Sequence, residues 1–223
     1  MRMALWMVSL IVLAGETGGV RSWDFDHLQA GKLPEGWKVE ATGQDKATAT
    51  WQAAVDENAP LGPGVLELAA TNHSESAVYN ICWTNQVEFR EGEIAVFLRA
   101  RSGRIDQGGG PIWRVQDRNN YYIARYNPLE GNVSAYYVKD GKRVMLGYTG
   151  PIELANGWHI LKISHRGDRI RAFIDGNLKL MVNAGDYIPQ KGGVGLWTKA
   201  DAATAFDNFT VIPHQADPAG KSK

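Results

Sequence analysis

The chain has 223 residues and sets 24 Lys and Arg against 24 Asp and Glu, a formal net charge of zero. That balance excludes attraction to nucleic acid or to an anionic membrane by bulk charge, and the length fits one all-β domain with one sizeable core. With 25 glycines, 8 tryptophans and 8 tyrosines, and short alternating runs in place of a helical apolar period, the sequence predicts a β-rich fold with many turns.

Residues 1–22 read as a signal peptide and leader. Arg2 precedes an apolar run from Ala4 to Ala14 that is too short to cross a bilayer as a helix, and Val12-Leu13-Ala14 ends in a small residue that suits signal peptidase. Cleavage after Ala14 or a few residues later is expected, giving a secreted or periplasmic protein with no membrane span in the mature chain. The alternative is an N-terminal apolar strand of the fold. The single cysteine, Cys82 in "VYNICW", cannot form a disulfide within the chain and reads as a buried strand residue.

From Trp23 onward, candidate strands follow one another between Gly, Pro, Asn and Asp. They are Trp23 to Asp26, Ala49 to Ala53, Gly64 to Ala69, Ala77 to Cys82, Glu93 to Ala100, Pro111 to Gln116 and Tyr121 to Asn127. The series continues with Asn132 to Lys139, Arg143 to Gly147, Trp158 to His165, Arg169 to Ile174, Leu178 to Val182, Gly193 to Lys199 and Ala205 to Ile212. Asp140-Gly141 and Asp175-Gly176 supply the positive φ angles of tight hairpins. Many short strands at even spacing, with no repeat and no linker, predict two antiparallel sheets packed face to face over residues 23–213, and a polar tail over 214–223.

Specific motifs for chemistry are scarce. The five histidines form no metal motif; His159 and His165 share a strand face with Leu161 and Ile163, so that face reads either as core or as part of a ligand set. No nucleophile elbow, phosphate loop or convincing carboxylate pair occurs, since Glu91 and Glu93 sit at a strand entrance. The segment "GGGPIWRVQDRNNYYIARYN" is different. Alternation places Trp113 and Val115 on one face of a hairpin, and Arg114 and Gln116 on the other, beside Tyr121, Arg125 and Asn127 of the return strand. Two arginines, two amides and a ring suit sugar hydroxyls and a sugar face; a solvated sheet face is the plain alternative. The Gly108-Gly109-Gly110 run would let a loop or ligand approach the backbone.

The "D-x-N-N-Y-Y" turn, the "N-P-L-E-G-N" loop, the "D-G-K-R" hairpin, "G-L-W-T-K-A-D" and "F-D-N-F" resemble the 3-keto-disaccharide hydrolase family, formerly a domain of unknown function in the concanavalin A-like lectin/glucanase superfamily. The resemblance runs from roughly Trp23 to Pro213. It implies an antiparallel jelly-roll β-sandwich with a concave sheet that handles carbohydrate. If the hydrolase activity applies, a base removes the C2 proton made acidic by a C3 ketone, and the enolate expels the C1 aglycone. Arg114 and Arg125 would then stabilise the oxyanion and Tyr121 would orient the sugar, with Asp117 or His165 reaching in as base. The resemblance also flags Trp197, Lys199 and Asp201 at a strand end. It implies a structural Ca2+ held by Asp207 with backbone carbonyls of the first strand, for which oxygen ligands are suited; Asp207 could equally bond a neighbouring loop. The expected substrate-binding residues are therefore Arg114, Gln116, Tyr121, Arg125, Asn127 and Lys199, with carbohydrate as partner. Glycan binding, 3-keto-glycoside hydrolysis and a non-catalytic adhesion or scaffold role all remain open at this point.

Overall fold

A computed structural model describes residues 19–44, 49–70 and 78–214, so residues 1–18 of the expected leader and most of the polar tail lie outside the described residues, while Arg21 and Ser22, placed in the leader from sequence, belong to a strand of the fold. One sheet has the order β13 (Asn177–Asn183), β12 (Arg169–Ile174), β11 (His159–Arg166), β6 (Gly92–Ser102), β15 (Ala203–Pro213), β4 (Gly64–Ala70), β3 (Thr50–Val55), and β1 (Arg21–Trp23) adds to β15. The other runs β10 (Lys142–Tyr148), β9 (Asn132–Lys139), β8 (Asn120–Asn127), β7 (Gly110–Asp117), β14 (Gly192–Lys199), β5 (Tyr79–Phe89), β2 (Trp37–Ala41). The paired strands are antiparallel and no described residue is helical, so the fold is the expected two-sheet jelly-roll sandwich.

Local chemistry sets the hairpins. Asp140 and Gly141 take φ of 51° and 76°, and Asp175 and Gly176 take 49° and 78°, the left-handed pair that closes a two-residue turn with the twist of its strands. β11, β12 and β13 form the expected meander. Only β2 has no counterpart among the strands expected from sequence: it is a short edge strand whose Lys38 and Glu40 interrupt the apolar signal.

Between the sheets lies one core. The eight-stranded sheet contributes Leu66, Leu68, Ile94, Val96, Leu161, Ile163 and Phe206, and the seven-stranded sheet answers with Cys82, Trp113, Tyr122, Ala124, Tyr126, Val133 and Leu196. Cys82 is fully buried, and burial pushes its thiol pKa up.

A second apolar cluster covers the outer face of the seven-stranded sheet: Ile81, Trp83, Ile112, Val115, Tyr121, Ile123, Tyr136, Val138 and Trp197. Its burial follows from sheet coiling. Arg143 starts on β10, yet its guanidinium lies 4.4 Å from the Tyr136 ring of β9, 5.8 Å from Trp197 of β14 and 5.0 Å from Tyr79 of β5. On a flat sheet β10 and β5 would stand about 24 Å apart, at about 4.8 Å per strand. The sheet therefore rolls until opposite corners meet over its outer face, the direction in which accumulated strand twist takes it. The turn after β7 closes the same corner: Thr42 Oγ1 donates to the Arg118 carbonyl at 2.8 Å, and Gly43 N–H donates to Asn119 Oδ1 at 2.9 Å.

Candidate functional site

The hairpin of β7 and β8 does not carry its two arginines on one face. The ladder between these strands shifts register between Trp113 and Asp117, and Arg114 sits in the left-handed region at φ 51°. This bulge puts one extra residue into β7 against β14, and two against β8 by Asp117, and breaks the alternation. Trp113 then joins the core between the sheets and Val115 joins the outer cluster, instead of sharing a face. Arg114 turns inward beside Trp113. Its Nε donates to the Arg90 carbonyl at 2.8 Å and its Nη1 to the Ile188 carbonyl at 3.0 Å, while the guanidinium lies 5.5 Å from the Tyr122 ring.

His165 shares that inner pocket. Trp113 Nε1 donates to its Nδ1 at 2.9 Å, and its Nε2 lies 3.3 Å from Arg114 Nη2. Burial and the Arg114 charge together lower its pKa from 6.5 to about 3, so the ring is neutral in the fold. Of the two readings open for the face that His159 and His165 share, the structure has the core side, and neither Arg114 nor His165 reaches the outer face. Asp117, the other candidate base, spends its carboxylate on the turn, accepting from Asn119 N–H at 2.6 Å and from the Asn120 amide at 3.0 Å. Gln116 likewise latches backbone, donating to the carbonyls of Arg114 and Lys191. The three glycines before β7 also serve the fold: a Cβ on Gly108, Gly109 or Gly110 would strike the carbonyl oxygen of Tyr126, Trp197 or Ala124 respectively. The close approach they permit is strand to strand.

Tyr121 lies on the outer face as expected, but in its closed floor. It is fully buried, its hydroxyl pairs with Thr42 Oγ1 at 2.6 Å, and burial pushes its pKa up. Trp197 is fully buried in the same floor. The expected open sugar-facing surface is thus a rolled and filled one, roofed by Arg143.

Polar side chains gather at the opposite end of this face. Arg125 is 1 % exposed and is ion-paired with Asp106, whose other oxygen takes Lys199 Nζ at 3.0 Å. Arg125 also lies 5.9 Å from the Trp197 ring and 4.0 Å from Glu130, while its Nε finds no protein acceptor. Asp106 is placed by Asp201, which accepts the backbone N–H groups of Arg104, Ile105 and Asp106 at 2.7 to 3.0 Å. Desolvation works against the Asp201 anion, but those three donors outweigh it and hold its carboxyl below the usual range. Asn127 Oδ1 caps the next loop, accepting from Leu129 N–H at 2.9 Å.

That loop forms one wall of a cavity of about 790 Å3 at this end of the sandwich, lined among others by Arg99, Arg101, Tyr126, Glu130, Glu153 and His159. Its lining holds both donors, Arg99 and Arg101, and acceptors, Glu130 and Glu153. His159 is fixed by Asp175 at 2.7 Å and the Ala155 carbonyl at 2.8 Å, and sets its ring edge-on to Tyr126 at 5.6 Å. Of the six residues expected to bind, Arg125 and Lys199 meet at Asp106 and Asn127 caps the adjoining loop, none of the three lining the cavity itself, while Arg114, Gln116 and Tyr121 lie elsewhere. Sequence reading missed Asp106, Arg99, Arg101, Glu130 and His159 as a group, because four different chain segments bring them together; the "NPLEG" stretch was the one local signal.

Asp207 sits on the far side, on the outer face of the eight-stranded sheet. It is fully buried, with Oδ2 accepting only Leu61 N–H at 3.2 Å and Oδ1 unpartnered. Burial, with repulsion from Asp26 and Asp24, raises its pKa from 3.8 to about 6, against the pull of the Leu61 and Asn208 N–H groups. An unpartnered carboxylate oxygen near two further carboxylates is a donor set that suits calcium. Among the described residues no trio of His, Cys, Asp and Glu converges tightly enough to hold a metal ion alone, so backbone carbonyls would complete any such shell.

No family model matches the chain, and no curated protein does. Solved structures do match at the level of fold. The carbohydrate-binding module CBM66 from Bacillus subtilis is 17 % identical with a TM-score of 0.58, covering 79 % of this chain and 95 % of its own. The laminarinase catalytic domain from Thermotoga maritima is 14 % identical with a TM-score of 0.58, covering 88 % and 98 %. Domain 4 of an extracellular arabinanase from Geobacillus stearothermophilus, solved with arabinotriose, is 12 % identical with a TM-score of 0.59, covering 89 % and 93 %. At these identities the likeness is one of architecture: the chain has the concanavalin A-like sandwich that these domains share.

Proposed function

We propose that this chain is an exported carbohydrate-binding domain that takes a glycan in the cavity beside Arg125, Asp106 and Lys199. The observation that carries this reading is the cavity itself, about 790 Å3 and ringed by Arg99, Arg101, Glu130, Glu153 and His159 around the Tyr126 ring. Its volume falls within the span of about 300 to 1,000 Å3 usual for small-ligand sites. Hydroxyls on every side of a sugar need donors and acceptors in alternation, and fixed side chains supply them at low entropic cost. The fold neighbours named for carbohydrate binding support the reading.

Binding is preferred to 3-keto-glycoside hydrolysis, the activity that the resembled family implies. Elimination needs a free base beside an oxyanion stabiliser. The bases expected from sequence, Asp117 and His165, are engaged outside the cavity, which leaves the carboxylates Glu130 and Glu153 of its lining to serve. We further propose a structural calcium ion at Asp207 and removal of the leader on export.

A glycan array followed by titration calorimetry tests the main reading. Wild type should bind at least one oligosaccharide class, and Glu130→Gln and Arg101→Ala should each weaken it about tenfold or more. Absence of binding across the array overturns it. N-terminal sequencing of protein recovered outside the cytoplasm tests the leader.

A further inference from the structure

A second cavity, of about 410 Å3, adjoins the first. The two share Arg99, Ala100 and Arg101, with Val55, Asp56, Glu57 and Asn58 lining the smaller one. Between them the two arginines form a ridge. Arg99 Nη1 and Arg101 Nη2 both lie 3.3 Å from Asp56 Oδ2, and Arg101 Nη1 lies 3.0 Å from Glu67. Asp56 and Glu67 are nearly buried while the arginine side chains stay 39 % and 35 % exposed. The carboxylates thus neutralise the ridge and hold it in place, while the Arg99 side chain stays partly open to solvent. A fixed, neutralised double fork with a hollow on each side suits a chain of hydroxyl-bearing units passing over it, more than a single unit ending in one hollow.

We infer that the site binds internal stretches of a linear oligosaccharide, with units in both hollows and one lying across Arg99 and Arg101. This rests on the carbohydrate-binding reading above and adds the length of the ligand.

Laminari-, cello- and arabino-oligosaccharides from disaccharide to hexasaccharide are titrated by calorimetry against the full mature chain. For the class that binds, affinity should rise about tenfold or more once the ligand is long enough to span the ridge. Asn58→Trp tests the smaller hollow, because Asn58 is exposed and only its backbone N–H is engaged, by Asp56 Oδ1 at 2.9 Å. It should abolish the rise with length and leave disaccharide affinity unchanged. A hexasaccharide no tighter than its disaccharide overturns the inference and leaves carbohydrate binding standing. So does an unaltered length dependence in Asn58→Trp, or an equal loss for short and long ligands. Failure of every oligosaccharide to bind overturns both.

Discussion

Arg114 and Arg125 belong to one hairpin but occupy opposite faces of the sheet. The bulge at Arg114 sends its guanidinium between the sheets onto backbone carbonyls, while Arg125 stays on the outer face with Asp106. The two substitutions therefore separate stability from binding. Arg114→Ala would leave the Arg90 and Ile188 carbonyls without their donor and open a void beside Tyr122, costing about 3 kcal/mol. Arg125→Lys keeps a cation for Asp106 but loses the planar fork that also reaches toward Glu130, and should weaken glycan binding about tenfold through that wall of the cavity, with a smaller fall in melting temperature than Arg114→Ala. Thermal melts paired with calorimetry decide the assignment; a binding loss in Arg114→Ala at full stability would contradict it.

Asp201 acts on the site through the loop it clamps. Asp201→Ala removes the acceptor for three backbone N–H groups, freeing the segment that carries Asp106. Stability should fall by about 1 to 2 kcal/mol, and glycan affinity should fall with it even though Asp201 touches no ligand. Asp201→Asn, which keeps one acceptor, should recover part of both.

His165 gives the fold an acid limb. Its pKa is depressed from 6.5 in the unfolded chain to about 3 in the fold, so unfolded protein binds more protons between those values. The contribution is complete above pH 6.5 and is lost progressively as pH falls toward 3, amounting to at most about 5 kcal/mol. In His165→Asn, whose amide oxygen can still accept from Trp113, denaturant melts from pH 7 to 4 should show a flatter decline than wild type.

The calcium proposal makes a paired expectation. Added calcium should raise the wild-type melting temperature by several degrees through preferential binding to the folded state. In Asp207→Asn the ion should have no effect, and the apo protein should be no less stable than wild type, because an unpartnered buried carboxylate has been removed. Equal responses of the two proteins to calcium would exclude Asp207 as a ligand.

Most of the architecture could be read from residues alone. β9 and β12 fall where alternation predicted them, and Asp140-Gly141 and Asp175-Gly176 close their hairpins as left-handed pairs. The facing of β8 was also legible: Tyr122, Ala124 and Tyr126 enter the core while Tyr121 and Arg125 do not. What alternation could not supply was the bulge. One extra residue at Arg114 reverses the facing of Trp113 relative to Val115, and nothing in "IWRVQD" announces it, since arginine is not the residue one expects at positive φ. The cavity was illegible for another reason. Arg101, Glu130 and His159 come from β6, the loop before β9, and β11, and no spacing along the chain encodes their meeting. The coiling that buries Trp197 and Tyr121 under Arg143 is likewise a property of seven strands together.

Cys82 lies wholly inside the sandwich, and its raised pKa keeps it as a thiol rather than a thiolate. Only the thiolate reacts readily. The native chain is therefore chemically silent to maleimides and similar reagents while folded, and a cysteine placed on Asn58 or Glu153 would be the single labelling point. A fluorophore or spin probe at either position would report which hollow a ligand enters, without first having to engineer the native cysteine away.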